Sequence, residues 1–212
     1  MKIETKSVNK LPKGLPIVLS APSGGGKTTL ADHLLKKKGS KLIRSISCTT
    51  RAPRAGEKDG VDYYFIGEKE FKRRIDDGEF LEWAMVHNYM YGTPIQAITE
   101  DLTKGNDVLL VIDPQGGVSV RKIYPHGIFI FVVPPTWEDL KKRLKKRGQD
   151  KPKDMKVRIE NASKELEYLT LYDYLVVNQN LKKAVAEVEA IIQAEHLHLT
   201  RWETSDVPFL KK

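Results

Sequence analysis

The feature that most constrains this chain is a run of three glycines followed by lysine and threonine, within Ala21-Pro22-Ser23-Gly24-Gly25-Gly26-Lys27-Thr28. An apolar run, Ile17-Val18-Leu19, precedes the stretch, and a helical pattern begins at Thr29. Adjacent glycines let the backbone curl tightly enough to turn successive N–H groups toward one anion, and the N-terminus of a following helix adds partial positive charge. The stretch therefore predicts a phosphate-binding loop between a strand and a helix.

Lys27 and Thr28 indicate which phosphate ligand the loop binds. In loops of this kind the lysine reaches the outer phosphates of a nucleoside triphosphate, and the hydroxyl coordinates the accompanying magnesium ion. The strict pattern begins with glycine, and this chain has Ala21 there. An ordinary glycine-rich turn is the alternative, but the order of strand, turn, Lys-Thr and helix favours the phosphate loop. We therefore expect residues 21–29 to bind a nucleoside triphosphate with Mg²⁺.

Composition is typical of a globular protein that stays in the cytoplasm. The chain has 212 residues, of which 30% are charged and 40% hydrophobic, enough for one core with small inserted subdomains. No apolar run approaches the ~20 residues that a membrane span needs, and the polar, basic N-terminus lacks the apolar stretch of a secretory signal. The single cysteine, Cys48, excludes an internal disulfide. We expect a cytoplasmic protein without a membrane partner.

The formal net charge of +8 is compatible with nucleic acid, an anionic membrane or small polyanionic substrates. Lysines are spread over the whole chain, whereas the arginines include two clusters, Arg51 with Arg54 and Arg143 with Arg147. The guanidinium group suits bidentate contacts to phosphate. No motif for reading a nucleic-acid groove accompanies the charge. We therefore expect small phosphate-bearing ligands near the arginine pairs and no nucleic-acid partner.

Strand-like apolar runs alternate with helical patterns along most of the chain. The continuous apolar runs 108–112 and 128–133 suit strands covered on both faces, and the first run leads directly to a lone acid, Asp113. This alternation predicts an α/β fold with an open parallel sheet flanked by helices. Residues 42–93 contain shorter strands and more turns, so we expect an inserted antiparallel subdomain there.

A second group of chemically active residues lies in the loop 49–65, which carries two arginines, a glutamate and two tyrosines. The guanidinium groups of Arg51 and Arg54 and a phenol hydroxyl could converge on the phosphate of a second, monophosphate ligand. A solvated surface loop with paired charges accounts for the same residues equally well.

The same loop resembles the signature of the guanylate kinase family, which reads Thr-Thr-Arg-x-x-Arg-x-x-Glu-x-x-Gly-x-x-Tyr-x-Phe. The resemblance continues over nearly the whole chain, outside residues 1–14, through the segments Phe80-Leu-Glu-Trp83, Tyr91-Gly-Thr93, Arg143-Leu-x-x-Arg-Gly148 and Val176-Val-Asn178. So long an ordered set of motifs is far more specific than a phosphate loop alone.

The resemblance implies an α/β fold of the P-loop NTPase type, with a parallel sheet flanked by helices, an inserted GMP-binding subdomain and a small helical lid. The implied domains are a flexible basic tail at 1–14, a core ATP-binding domain at 15–41, 94–135 and 159–212, the GMP-binding subdomain at 42–93 and the lid at 136–158.

The implied activity is transfer of the terminal phosphoryl group of ATP to GMP, giving ADP and GDP. By the resemblance, Arg51, Arg54, Tyr63 and Tyr91 hold the GMP phosphate. Glu82 accepts hydrogen bonds from the guanine ring N–H and exocyclic amine, while Ser47 and Thr93 address the carbonyl side. Adenine would leave the buried carboxylate unpaired.

For the transfer itself the resemblance implies charge stabilisation by Lys27, Arg51, Arg143, Arg147 and Arg158. Arg143 and Arg147 stand four residues apart and so share a helix face. Asp113 would orient water on the magnesium ion, which Thr28 also binds, and Asn178 would lie near the adenine of ATP.

Three alternatives remain open from the sequence. A scaffold domain of the same fold that has lost catalysis typically lacks the intact phosphate loop and lid arginines, which this chain retains. A kinase of the same fold could act on another small phosphate ester, such as a sugar phosphate. The remaining choice is the active enzyme, a monomer or weak homodimer whose small-molecule partners are ATP and GMP, with dGMP as a further candidate.

One departure from the family pattern generates a prediction. Members commonly carry Asp-Ile-Asp where this chain has Val111-Ile112-Asp113, and the missing first acid would be an additional contact to guanine. We expect Val111→Asp to lower the KM for GMP by about tenfold, the value of one hydrogen bond to a charged group, with kcat unchanged. Steady-state kinetics measures both constants, and a KM that did not fall would count against this expectation.

Overall fold

The structure is a computed structural model that describes residues 13–37, 41–86, 88–147, 152–202, 207 and 209. Nine strands lie in these ranges: β1 (Pro16–Ser20), β2 (Leu42–Arg44), β3 (Cys48–Thr49), β4 (Tyr64–Phe65), β5 (Phe80–Val86), β6 (Tyr89–Pro94), β7 (Asp107–Val111), β8 (Ile128–Val133) and β9 (Tyr174–Val177). The same ranges hold seven α-helices: α1 (Lys27–Leu35), α2 (Glu68–Asp76), α3 (Ile95–Lys104), α4 (Pro114–Ile123), α5 (Trp137–Arg147), α6 (Pro152–Leu166) and α7 (Leu181–His196).

Five strands form a wholly parallel sheet in the order β2-β7-β1-β8-β9. Strand β1 is central and completely buried, which explains its unbroken apolar sequence. Its side chains alternate between two cores: Ile17 and Leu19 pack with α1 and α7 on one face, and Val18 packs with α3 and α4 on the other. The predicted parallel sheet flanked by helices is therefore confirmed.

A second sheet of four strands, in the order β4-β3-β6-β5, lies between β2 and α3 in the chain. Helix α2 covers it through Phe71, which packs with Cys48 and Met90. Two features of the predicted subdomain need correction. Strand β2 pairs with β7, so residues 42–44 belong to the parallel sheet. The second sheet is mixed, because β3 and β4 are parallel while the other two pairings are antiparallel.

Helices α5 and α6 form the region predicted as a lid. The start of helix α5 is capped by Thr136, whose Oγ1 accepts the Asp139 N–H at 3.1 Å. The two helices pack through Leu140, Leu144 and Ala162. The predicted boundary between lid and core falls inside α6, which runs through residues 158 and 159 without a break.

The start of the folded body also differs from the expected boundary. The Gly14 N–H donates to the Leu102 carbonyl at 3.0 Å, and Gly14 is buried against Asn106, so it belongs to the core. Residues 1–12 of the predicted tail lie outside the described residues. Within the described part of the chain, no helix is both long and apolar enough to cross a membrane.

Candidate active site

The glycine-rich stretch forms the predicted loop between β1 and α1. Gly24 and Gly26 adopt backbone φ angles of 83° and 96°, a region that residues with a Cβ rarely adopt. The loop closes on itself through a hydrogen bond from the Gly25 N–H to the Pro22 carbonyl, at 2.8 Å. Gly26 precedes the first residue of α1, so the helix N-terminus opens into the loop. These glycines account for the local fold, because the backbone reverses here at positive φ.

Lys27 and Asp113 connect the loop to the neighbouring strand. Lys27 Nζ donates to the carbonyl of Ile112 at 2.9 Å. Strand β7 ends at Val111, so Asp113 follows the strand and caps helix α4, where its Oδ1 accepts the Gly116 N–H at 2.9 Å. The carboxyl ends of adjacent parallel strands thus place the lysine and the acid at one edge of the sheet.

One cavity of about 190 Å³ brings most of the predicted residues together. Its walls include loop residues 21–28 and, from the other elements, Ser47, Arg54, Tyr63, Glu82, Tyr91 and Asp113. Small-molecule pockets are commonly about 300–1,000 Å³, so this cavity is smaller than most of them. The phosphate loop and the second sheet therefore face each other across one cavity, which Val86 and Val111 also line.

Glu82 is the most unusual ionisable group of this cavity. Only 7% of the residue is exposed. Thr93 Oγ1 donates to Glu82 Oε1 at 2.5 Å, and Ser47 Oγ lies 3.3 Å from the same threonine oxygen. Burial raises the pKa of Glu82 to about 7, against the lowering effects of the Thr93 hydrogen bond and of Lys27. The carboxylate is therefore held in place, partly paired, and poorly solvated.

Arg51 is buried beside the cavity and makes several hydrogen bonds. Its Nε donates to Tyr91 Oη at 3.1 Å, and its Nη2 donates to Glu57 Oε1 at 3.0 Å. Burial alone would lower the pKa of Arg51, but the bonds to Glu57 and Tyr91 raise it overall. Glu57 also accepts the Arg54 N–H at 2.7 Å. Arg51 thus fixes the orientation of Tyr91, whereas Arg54 and Tyr63 line the cavity directly.

The remaining predicted residues lie around the loop. Arg143 Nη1 donates to the Gly25 carbonyl at 3.2 Å, and its Nη2 donates to the Asn178 carbonyl at 2.7 Å. Arg158 is half-buried on α6, and Thr29 is exposed on α1; neither lines the cavity. The side chain of Arg147 lies outside the described part of the structure. Arg143 and Asn178 therefore lie next to the phosphate loop, beside Gly25 and Gly26.

Glu165 is a cavity residue that the sequence does not identify. Its Oε2 accepts the Ser23 N–H of the phosphate loop at 2.7 Å, and it lines the same cavity. Burial raises its pKa, with Ser23 and Lys27 acting in the opposite direction and Asp113 in the same direction. In the sequence it is one of several charges on a helical stretch with no motif around it, so only the fold reveals its position.

The oxygen ligands available at the loop suit Mg²⁺. Thr28 supplies a hydroxyl and Asp113 a carboxylate, and both line the cavity. Among the described residues no group of three His, Cys, Asp or Glu side chains could hold a metal ion. Magnesium commonly keeps several waters and binds through one or two carboxylates plus substrate phosphates, so this small donor set fits the ion.

A parallel sheet with a phosphate loop after its central strand, facing a second basic region across one cavity, defines a nucleotide-dependent phosphotransferase. Comparison with known proteins agrees. The family model described as guanylate kinase matches residues 13–195. Guanylate kinases of Caldanaerobacter subterraneus subsp. tengcongensis and Thermotoga maritima are each 46% identical to this chain over 189 residues, 89% of this chain and 91% of theirs.

A solved structure gives the same result. The crystal structure of guanylate kinase from Anaplasma phagocytophilum superimposes with a TM-score of 0.75 at 31% identity, covering 92% of each chain. The chain belongs to the guanylate kinase family.

The raised pKa of Glu82 generates a prediction about stability. The pKa of Glu82 is about 7 in the folded protein and near 4.5 in the unfolded chain. The protonated side chain therefore contributes stability that is fully present below pH 4.5 and is lost as the pH rises through 7. Glu82→Gln removes this loss and keeps an oxygen for Thr93. We expect the variant to gain of the order of 3 kcal/mol over wild type between pH 4.5 and pH 8.

Urea unfolding at pH 5 and pH 8, without nucleotide, measures the difference. Glu100→Gln, on the exposed face of α3, is the matched control and should show no such gain. An equal free-energy difference between Glu82→Gln and wild type at both pH values would contradict the assignment of a buried, uncompensated charge.

Proposed function

We propose that the protein transfers the terminal phosphoryl group of ATP to GMP, forming ADP and GDP, and so acts as a guanylate kinase in purine nucleotide metabolism. The observation that carries this proposal is Glu82, a buried carboxylate of the second sheet that lines the same cavity as the phosphate loop. Family membership supports the same reaction. We place the reaction in the cytoplasm, in a monomer or weak homodimer, with small molecules and not nucleic acid or membrane as its partners.

Guanine is selected by the pairing of Glu82. The guanine ring N–H and exocyclic amine are two donors on one edge, and a carboxylate can accept from both. Adenine presents an acceptor at the first of these places, so it would leave the buried charge unpaired, at a large cost in binding. Ser47 and Thr93, which line up beside Glu82, address the carbonyl side of the base. Deoxy-GMP has the same base and is a candidate second substrate.

The GMP phosphate binds between the second sheet and the loop. Arg54, Tyr63 and Tyr91 line the cavity there, and Arg51 adds a buried positive charge while holding Tyr91 in place. Charge-assisted hydrogen bonds of this kind are the stronger ones, and bidentate guanidinium contacts also fix orientation. The acceptor oxygen is thereby directed toward the loop that holds the donor phosphates.

The loop and the lid stabilise charge on the transferring group. Phosphoryl transfer needs placement, charge neutralisation and exclusion of water more than covalent chemistry. Backbone N–H groups of the loop and Lys27 bind the ATP phosphates. Arg143, Arg147 and Arg158 approach from the lid, and Asn178 borders the adenine. Mg²⁺, held through Thr28 and water on Asp113, supplies further neutralisation of the phosphate oxygens when bound.

An assay of ADP production from Mg-ATP with GMP, dGMP, AMP, CMP and UMP in parallel tests the proposal. We expect turnover with the guanine nucleotides alone. Lys27→Ala should lower kcat about 10²–10³-fold, the usual effect of removing one preorganised electrostatic contact. Lys104→Ala, an exposed lysine on α3, is the control and should match wild type. A folded wild-type protein that turned over none of the monophosphates would overturn the proposal and favour a scaffold role or another phosphate ester.

A further inference from the structure

Three successive residues of the phosphate loop contact the two lid helices. The Ser23 N–H donates to Glu165 of α6 at 2.7 Å. A Cβ on Gly24 would lie 2.9 Å from Leu144 Cδ2 on α5, so this helix packs directly on the loop backbone. The Gly25 carbonyl accepts from Arg143, also on α5, at 3.2 Å. The lid therefore docks on the loop that binds the ATP phosphates and not only on the surrounding core.

Glu165 and Arg158 lie on the same face of α6. Seven residues separate them, which is close to two helical turns, so their side chains leave the helix within about 20° of each other and roughly 10 Å apart along its axis. Ala162 lies between them on this face and is completely buried against α5. A hydrophobic contact alone allows a helix to slide or rotate slightly. The bond from Glu165 to a backbone N–H removes that freedom at one point.

A carboxylate in this position carries an electrostatic cost. Glu165 lines the cavity that receives the ATP phosphates, and burial together with Asp113 disfavours its charged form. A merely structural bond to one N–H could come from a neutral side chain without repelling phosphate. The hydrogen bond to a carboxylate is stronger than one to a neutral oxygen and fixes the geometry more firmly. This matters here because a small displacement of a charge-stabilising group lowers the rate of the reaction.

We propose that Glu165 is a positioning residue for phosphoryl transfer, whose bond to the Ser23 N–H holds α6 in register with the phosphate loop and so sets the position from which Arg158, which lies outside the cavity in this structure, reaches the transferring group. This inference rests on the proposed function. Glu165 itself does not touch the reacting atoms and acts through Arg158. Its loss affects the transition state more than the binding of either nucleotide, because Arg158 is needed most when charge builds on the transferring group.

A double-mutant cycle with the full-length protein tests the inference. We expect Glu165→Ala to lower kcat by about 10–100-fold with both KM values within about threefold of wild type. Glu165→Gln should lose less activity than Glu165→Ala but remain below wild type, because the amide oxygen still accepts the Ser23 N–H through a weaker, uncharged hydrogen bond. In an Arg158→Ala background, Glu165→Ala should have little further effect, since residues that act as one unit are not additive. Glu160→Ala, an exposed glutamate of the same helix, is the matched control.

Several results would overturn the inference. Equal losses from Glu165→Ala in the wild-type and Arg158→Ala backgrounds would show a general structural role. Tighter ATP binding with an unchanged kcat would show that the carboxylate only obstructs the loop. Should Glu165→Ala not fold, Glu165→Asp keeps the charge but shortens its reach, and a wild-type kcat in that variant would equally overturn the inference. Wild type without GMP-dependent turnover would instead refute the proposed function, so the two failures are distinguishable.

Discussion

The constraint on which this structure depends is the mutual repulsion of two phosphate-bearing ligands that must meet at one point. The protein answers it with positive charge from three sources: a loop of backbone N–H groups at the start of α1, Lys27 beside it, and arginines on the second sheet and lid. The loop of N–H groups requires the backbone to reverse tightly at positive φ directly after a buried strand. The phosphate-binding chemistry of the loop therefore depends on the fold of the parallel sheet. The second sheet and the lid contribute the other charges from outside this core.

In the proposed function, Glu82 adds selectivity for the base to the selectivity of the loop for phosphate, and burying that carboxylate carries a free-energy cost. The carboxylate is buried without any base bound, and this burial is what raises its pKa. Close packing adds to the constraint, since a Cβ on Gly116 would lie 2.7 Å from Glu82 Oε2. The folded protein is therefore less stable near neutral pH than a variant with a neutral side chain would be. The proposed discrimination between purines has the same physical origin. A base that cannot donate hydrogen bonds to the carboxylate leaves its desolvation uncompensated and therefore binds more weakly.

Much of this could be predicted from the sequence, for reasons that differ between residues. The central strand and the loop were predictable because apolar continuity and a glycine run have direct backbone consequences. Glu82, by contrast, lies on a strand with no local pattern that marks it as functional, and only the ordered motifs of the family identified it. The boundary at residue 42 was wrong because β2 is short and its partner, β7, lies far along the chain. Glu165 was missed for the same reason, since its contact with Ser23 joins residues 142 positions apart.

The measurement that tests the account most directly is inhibition by a bisubstrate compound in which adenosine and guanosine are joined through an oligophosphate chain. If the phosphate loop and the Glu82 pocket are the two ends of one cavity, a single molecule spans both. Steady-state kinetics should then show competitive inhibition against ATP and also against GMP, and Lys27→Ala and Glu82→Gln should each weaken it. Competition with one nucleotide alone, whichever it is, would show that the two ligands do not meet in this cavity and would contradict the account.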